Sequence, residues 1–107
     1  MAFEAMFQPI QIGKLTVRNR VLSTAHAEVY ATDGGMTTDR YVKYYEEKAK
    51  GGIGLAICGG SSVVAIDSPQ EWWASVNLST DRIIPYFQNL ADAMHKHGAK
   101  IMIQITH

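Results

Sequence analysis

Residues 38–58, TDRYVKYYEEKAKGGIGLAIC, change their periodicity midway, and that change decides the fold. In the first half Tyr41, Val42, Tyr45 and Ala49 recur at helical spacing, which predicts a helix over about 38–50. Thr37 or Thr38 can cap its free N–H groups, and Asp39 suits the positive end of its dipole. Glu46 and Lys50 stand four apart, as a surface ion pair does, and Gly51-Gly52 stops the helix. From Ile53 to Cys58 the residues read as a strand whose side chains alternate between two faces. Ile53, Leu55 and Ile57 share one face; Gly54, Ala56, Cys58 and then Gly60 share the other.

Working outward, the same unit recurs on both sides. Upstream, Arg20-Val21-Leu22-Ser23-Thr24-Ala25 reads as a first buried strand, and residues 9–17 read as a hairpin about Gly13-Lys14. Between that strand and the helix, Asp33-Gly34-Gly35 marks a loop. Downstream, a second helix opens after Ser79-Thr80-Asp81 and tolerates Pro85 near its first turn. It buries Ile84, Phe87, Leu90, Ala91 and Met94 and closes in His95-Lys96-His97-Gly98, cations followed by glycine. Ile101–Ile105 is a third strand, with Ile101, Ile103 and Ile105 on one face and Met102 and Gln104 on the other. Strand–helix–strand–helix–strand with right-handed crossovers means an α/β fold with a parallel sheet. The large branched faces are expected under the helices. The face of Gly54, Ala56, Cys58, Met102 and Gln104 is expected to border a ligand space beyond the carboxyl ends of the strands.

Composition narrows the class. The chain has 107 residues, 47% of them hydrophobic and 19% charged, as an ordinary soluble globular protein has. Ten Lys+Arg balance ten Asp+Glu, so no basic face is available to displace phosphate counterions, and nucleic acid is not an expected partner. One cysteine, Cys58, excludes an intrachain disulfide and any Cys-based zinc site, so no metal is expected here. No apolar run nears the roughly 20 residues that span a bilayer, and the N-terminus lacks a secretory pattern. No membrane partner and a cytoplasmic location are therefore the expectations. A (β/α)₈ barrel takes about 250 residues, so three strands in this chain would make less than half of one. A barrel fragment is favoured over a small open sheet.

Short motifs carry a family resemblance. Phe7-x-Pro9-x-x-Ile12-Gly13, Leu15, Asn19-Arg20, Gly51-Gly52-x-Gly54-Leu55 and Gln104-x-x-His107 resemble the opening of the Old Yellow Enzyme-like NADH:flavin oxidoreductases. Thr24-Ala25-His26, Asp33-Gly34, Cys58-Gly59-Gly60-Ser61, Asp67-Ser68-Pro69 and Gln104-Ile105-Thr106-His107 are most similar to one branch of that family. It contains the dimethylglycine and N-methylproline demethylases, trimethylamine dehydrogenase and 2,4-dienoyl-CoA reductase. The resemblance implies the N-terminal portion of a (β/α)₈ TIM barrel, with residues 1–107 an incomplete FMN-binding domain.

It implies FMN against Thr24, Ala25, His26 and Ala27, whose backbone would meet flavin N5 and O4, against Gly60, and against the Gln104 amide. Alanine stands at 27 where trimethylamine dehydrogenase-type members have a flavin-linking cysteine, so the FMN is expected to be non-covalent. Those members also carry an aromatic at the position of Gly60, for which Tyr30, Trp72 or Trp73 could substitute as a substrate-facing surface. The implied activity is oxidative N-demethylation, in which hydride leaves an N-methyl carbon and water hydrolyses the resulting iminium to secondary amine and formaldehyde. An NAD(P)H-dependent ene or dienoyl-CoA reductase is the alternative, and a non-enzymatic α/β binding module the rival of another class. Catalytic residues, a 4Fe-4S cluster and an FAD or NAD(P)H site would lie beyond His107. The expected partners are an N-methylated amine or enone, the rest of the barrel or another chain, and further copies in a homo-oligomer.

Read one by one, several of these residues also have plain structural roles open to them. His26 suits a hydrogen-bonded structural histidine, His107 a brace at the strand end, His95 and His97 a solvated helix terminus, and Cys58 a small buried hydrophobe.

Overall fold

The computed structural model describes residues 2–60, 62–68 and 75–107. After a short 3-10 turn over Glu4–Phe7, strands β1 (Ile10–Ile12) and β2 (Leu15–Val17) pair antiparallel as the expected hairpin. Strands β3 (Leu22–Ser23), β4 (Leu55–Cys58) and β5 (Lys100–Ile103) form a second sheet in the order β3-β4-β5, parallel throughout. Helix α1 (Asp39–Lys50) joins β3 to β4, and α2 (Ile84–His95) joins β4 to β5. The capping signals of both helices have their counterparts. The Thr38 hydroxyl accepts from the Tyr41 N–H as the cap of α1, and Pro85 sits in the first turn of α2, where no N–H is needed.

The face assignment of β4 is inverted relative to expectation. Residues paired across a parallel ladder share a face, and Ala56 pairs with Ile101, Cys58 with Ile103. Ala56 and Cys58 are 0% and 1% exposed in a core with Tyr41 and Tyr45 of α1 and Leu90 and Met94 of α2. The physical reason is volume. Two tyrosine rings occupy the space between α1 and the sheet, so only small side chains fit beneath them. Leu55 instead lies on the opposite side, in a cleft with Ile12, Val17 and Leu22. Met102 and Gln104 do fall on that opposite face, whereas Ile101 packs against the core.

Three smaller corrections have similar causes. The first strand is only two residues long and Leu22 is 48% exposed, because β3 is an edge of the sheet and has a strand neighbour on one side alone among the described residues. Glu46 does not pair with Lys50. Its carboxylate lies 2.9 Å from His97 Nε2, and Lys50 bonds Glu47 at 2.6 Å. His97 is therefore not merely a solvated helix terminus: it ties the end of α2 to the end of α1. At the amino ends of the strands, Arg18 performs a related task. Its guanidinium donates to the carbonyls of Ile53, Ala49 and His97, joining the entrance of β4 to the exits of both helices.

Candidate functional site

The carboxyl ends of β3, β4 and β5 run into Thr24–Ala27, Gly59–Gly60 and Gln104, and these three segments converge. Gly60 packs on the backbone of the first: a Cβ there would stand 2.6 Å from the His26 carbonyl carbon and 3.0 Å from the Ala27 nitrogen. Only glycine allows that approach. On the other side of β4, the Gln104 N–H donates to the Cys58 carbonyl at 2.9 Å, which carries the ladder one step past β5. Thr24, Ala27 and the Gln104 side chain are exposed, while Ala25 and Gly60 are half-buried.

His26 does not point its ring into this opening. Its Nδ1 lies 3.2 Å from the Thr24 carbonyl, which can only accept, so Nδ1 is the donor of that contact. Nε2 then accepts from the Tyr44 hydroxyl at 2.7 Å, with the two rings edge to face at 5.6 Å. Any cofactor contact by residue 26 falls to its backbone. Tyr30 is also engaged: the Arg40 guanidinium stacks 4.2 Å above its ring, and Tyr44 meets it edge-on at 5.7 Å. Trp72 and Trp73 lie outside the described residues.

Other groups near the opening were not singled out by their sequence pattern. Glu28 accepts a 2.8 Å hydrogen bond from Tyr45, and the Lys48 ammonium donates to Ser23 Oγ at 2.9 Å. The signal available was the Tyr44-Tyr45 pair, which puts a hydroxyl on each of two adjacent helix positions. Ser68 Oγ lies 2.8 Å from His107 Nδ1, so His107 does brace the strand end against the loop after β4. Cys58 is inert: burial pushes its thiol up to about 12, against Tyr41 and Tyr45, which burial also raises.

The arrangement fits a flavin in its chemistry. A flavin ring has an apolar benzenoid end and a pyrimidine end with both donors and acceptors. Exposed Met102 supplies apolar surface, the Gln104 amide supplies a donor and an acceptor, and the backbone of residues 24–27 supplies further polar groups. Among the described residues no group of three or more His, Cys, Asp or Glu could hold a metal ion, and no helix is long and apolar enough to cross a membrane.

Comparison with known proteins extends these observations. The sequence profile of the NADH:flavin oxidoreductase / NADH oxidase family matches residues 5–107. An N,N-dimethylglycine/sarcosine dehydrogenase of Chromohalobacter salexigens is 82% identical over 107 residues, which cover 100% of this chain and 15% of that protein. A multifunctional alkene reductase/demethylase of Caballeronia cordobensis is 42% identical over 104 residues, 97% of this chain and 15% of that protein. Among solved structures, the old yellow enzyme from Trypanosoma cruzi superposes with a TM-score of 0.88 at 27% identity, over 100% of this chain and 28% of that one. The chain thus spans 15% of the length of these two curated relatives.

Proposed function

The chain belongs to the NADH:flavin oxidoreductase / NADH oxidase family, and on that premise we propose that it forms the N-terminal part of an FMN-binding (β/α)₈ barrel that oxidises an N-methylated amino acid or amine. The observation that carries the flavin site is the convergence of Thr24–Ala27, Gly60 and Gln104 at the carboxyl ends of three adjacent parallel strands. That is where parallel α/β folds bind their ligands. What supports the substrate class is the 82% identity to the N,N-dimethylglycine/sarcosine dehydrogenase.

FMN, when bound, supplies a hydride acceptor at N5. The work of this chain is to hold it. The backbone of residues 24–27 would hydrogen-bond the flavin edge, Gly60 would keep that backbone in place, and the Gln104 amide would hold the pyrimidine end. Ala27 has no thiol, so the cofactor is held without a covalent link. Tyr30 and Trp72 are proposed to face the substrate. Groups that grip the substrate amine and move protons come from later strands of the barrel, as do any 4Fe-4S cluster and FAD or NAD(P)H site.

The test is direct. The whole protein should be yellow, should release formaldehyde from N,N-dimethylglycine or sarcosine, and should shed its FMN on acid denaturation. Flavin that stays with the chain on a denaturing gel would refute the non-covalent assignment. The likeness to an alkene reductase/demethylase favours one alternative, an NAD(P)H-dependent ene reductase or 2,4-dienoyl-CoA reductase. Reduction of an activated alkene without formaldehyde release from any N-methyl amine would decide for it.

A further inference from the structure

The segment from Ser23 to Tyr30 lies along α1 and is tied to it at nearly every second residue. Lys48 donates to Ser23 Oγ, the Tyr44 hydroxyl donates to His26 Nε2, the Tyr45 hydroxyl donates to Glu28 Oε2, and the Thr38 hydroxyl donates to the Tyr30 carbonyl. Of the residues between, Ala25 and Ala27 carry only methyl groups, and Ala27 is exposed. Next to these ties, Val29 holds a φ of 58°, a left-handed conformation that a β-branched side chain resists. Such strain persists only where the surroundings over-determine the backbone. Here the surroundings are the bonds to Glu28 on one side and Tyr30 on the other.

We propose that Tyr44 and Tyr45 are positioning residues for the cofactor. Their hydroxyls seize the alternate residues His26 and Glu28, and so set the backbone of Ala25 and Ala27 in the one geometry that meets the flavin edge. This rests on the reading of residues 24–27 as the flavin segment. Because each hydroxyl acts on a loop residue and not on the cofactor, its loss should alter FMN binding and redox balance while leaving the sheet intact. The two side chains differ in burial, Tyr45 being 0% exposed and Tyr44 half-buried, but each reaches the loop through a single hydroxyl that phenylalanine lacks.

The experiment compares the flavin-loaded whole protein with Tyr44→Phe, Tyr45→Phe, the double variant and Glu28→Gln. Loss of both hydrogen bonds should raise the FMN dissociation constant about tenfold or more in the double variant. We expect the oxidised-to-reduced flavin equilibrium to shift by up to a similar factor, about 30 mV for two electrons. Amide exchange should quicken at residues 24–30 and stay as in the wild type across 39–50 and 55–58. Glu28→Gln keeps a neutral acceptor for Tyr45 and should shift FMN affinity and exchange less than Tyr45→Phe does. Unchanged FMN affinity and unchanged exchange at 24–30 would overturn the proposal, as would faster exchange spread evenly over α1 and the sheet. If the double variant does not fold, the single variants decide by the same exchange comparison. A wild type that binds no FMN would remove the flavin reading, and this proposal with it. A flavin-loaded wild type with unaltered variants would remove the proposal alone.

Discussion

At the scale of single residues, the buried hydroxyls and thiol between α1 and the sheet shape the response to alkali. Desolvation raises Tyr41, Tyr45 and Cys58, the last to about 12. In the unfolded chain a cysteine ionises near ~8.5 and a tyrosine near ~10. Above those values the unfolded state binds fewer protons than the folded one, so stability must fall as pH rises. The contribution is complete below about pH 8.5 and, for Cys58, is lost as pH climbs to about 12. We therefore expect the midpoint of thermal unfolding to drop between pH 9 and 11, and Tyr41→Phe to blunt that drop. A thiol reagent should label Cys58 only after unfolding. Rapid labelling of the native protein would contradict the burial. Gly60→Ala belongs to the same scale. Its Cβ would strike the His26 backbone at 2.6 Å, so it should lower FMN content while the far-ultraviolet spectrum stays unchanged. Full FMN occupancy in that variant would separate Gly60 from the site.

At the scale of elements, two side chains bind the ends of α1 and α2 to each other and to β4. Arg18 donates to three carbonyls, those of Ala49 and His97 at the helix exits and that of Ile53 at the entrance of β4. Arg18→Ala should cost about 3 kcal/mol in urea unfolding, since a charged donor contributes about 1.5–3 kcal/mol and its carbonyl partners stay partly buried. Arg18→Lys should recover less than half of that loss, because an ammonium cannot reproduce the planar fork. The second tie is Glu46 with His97. The bond from His97 holds the Glu46 carboxyl below the usual carboxylate range. A lowered folded pKa stabilises the protein above the unfolded value and ceases to do so as pH falls through the folded value. Glu46→Gln should accordingly flatten the acid limb of a stability profile below pH 5 and leave the alkaline limb as it was. An unchanged acid limb would show that the pair contributes nothing measurable.

At the scale of the whole molecule, one side of the sheet is open. The accessible area is 6638 Å², whereas a closed monomer of 11.8 kDa would expose about 5,900 Å². The radius of gyration is 14.5 Å against about 13 Å for a compact chain of this length. The excess is apolar in part: Leu22 and Met102 are 48% and 39% exposed on the inner face, and Ile105 is 63% exposed beyond β5. Both β3 and β5 are edges of a parallel sheet, a kind of sheet that is otherwise buried on two faces. Expressed alone, the 107-residue polypeptide should therefore associate, and sedimentation should show species well above 11.8 kDa. A monodisperse monomer of that mass with a cooperative unfolding transition would count decisively against this, and against the need for further barrel strands.

By itself the sequence determined the element order, the parallel sheet, the caps and the turn of the hairpin. Each of these follows from local periodicity and from residue types whose backbone preferences act within a few positions, such as Thr38, Pro85 and the glycines at 51, 52 and 98. The family motifs also named the segments that meet at the carboxyl end of the sheet. Which face of β4 meets the helices was decided only by tertiary structure. An alternating strand has two possible sides, and side-chain size pointed to the wrong one because it ignores what the partner helix brings. Tyr41 and Tyr45 demand depth, so Ala56 and Cys58 lie beneath them and Leu55 turns away. The same holds for His26, whose ring is drawn to Tyr44, and for Glu46, which finds His97 at 51 residues' separation before Lys50 at four. Contacts between residues distant in the chain depend on packing volume and on where three elements come to rest, and no local pattern records either.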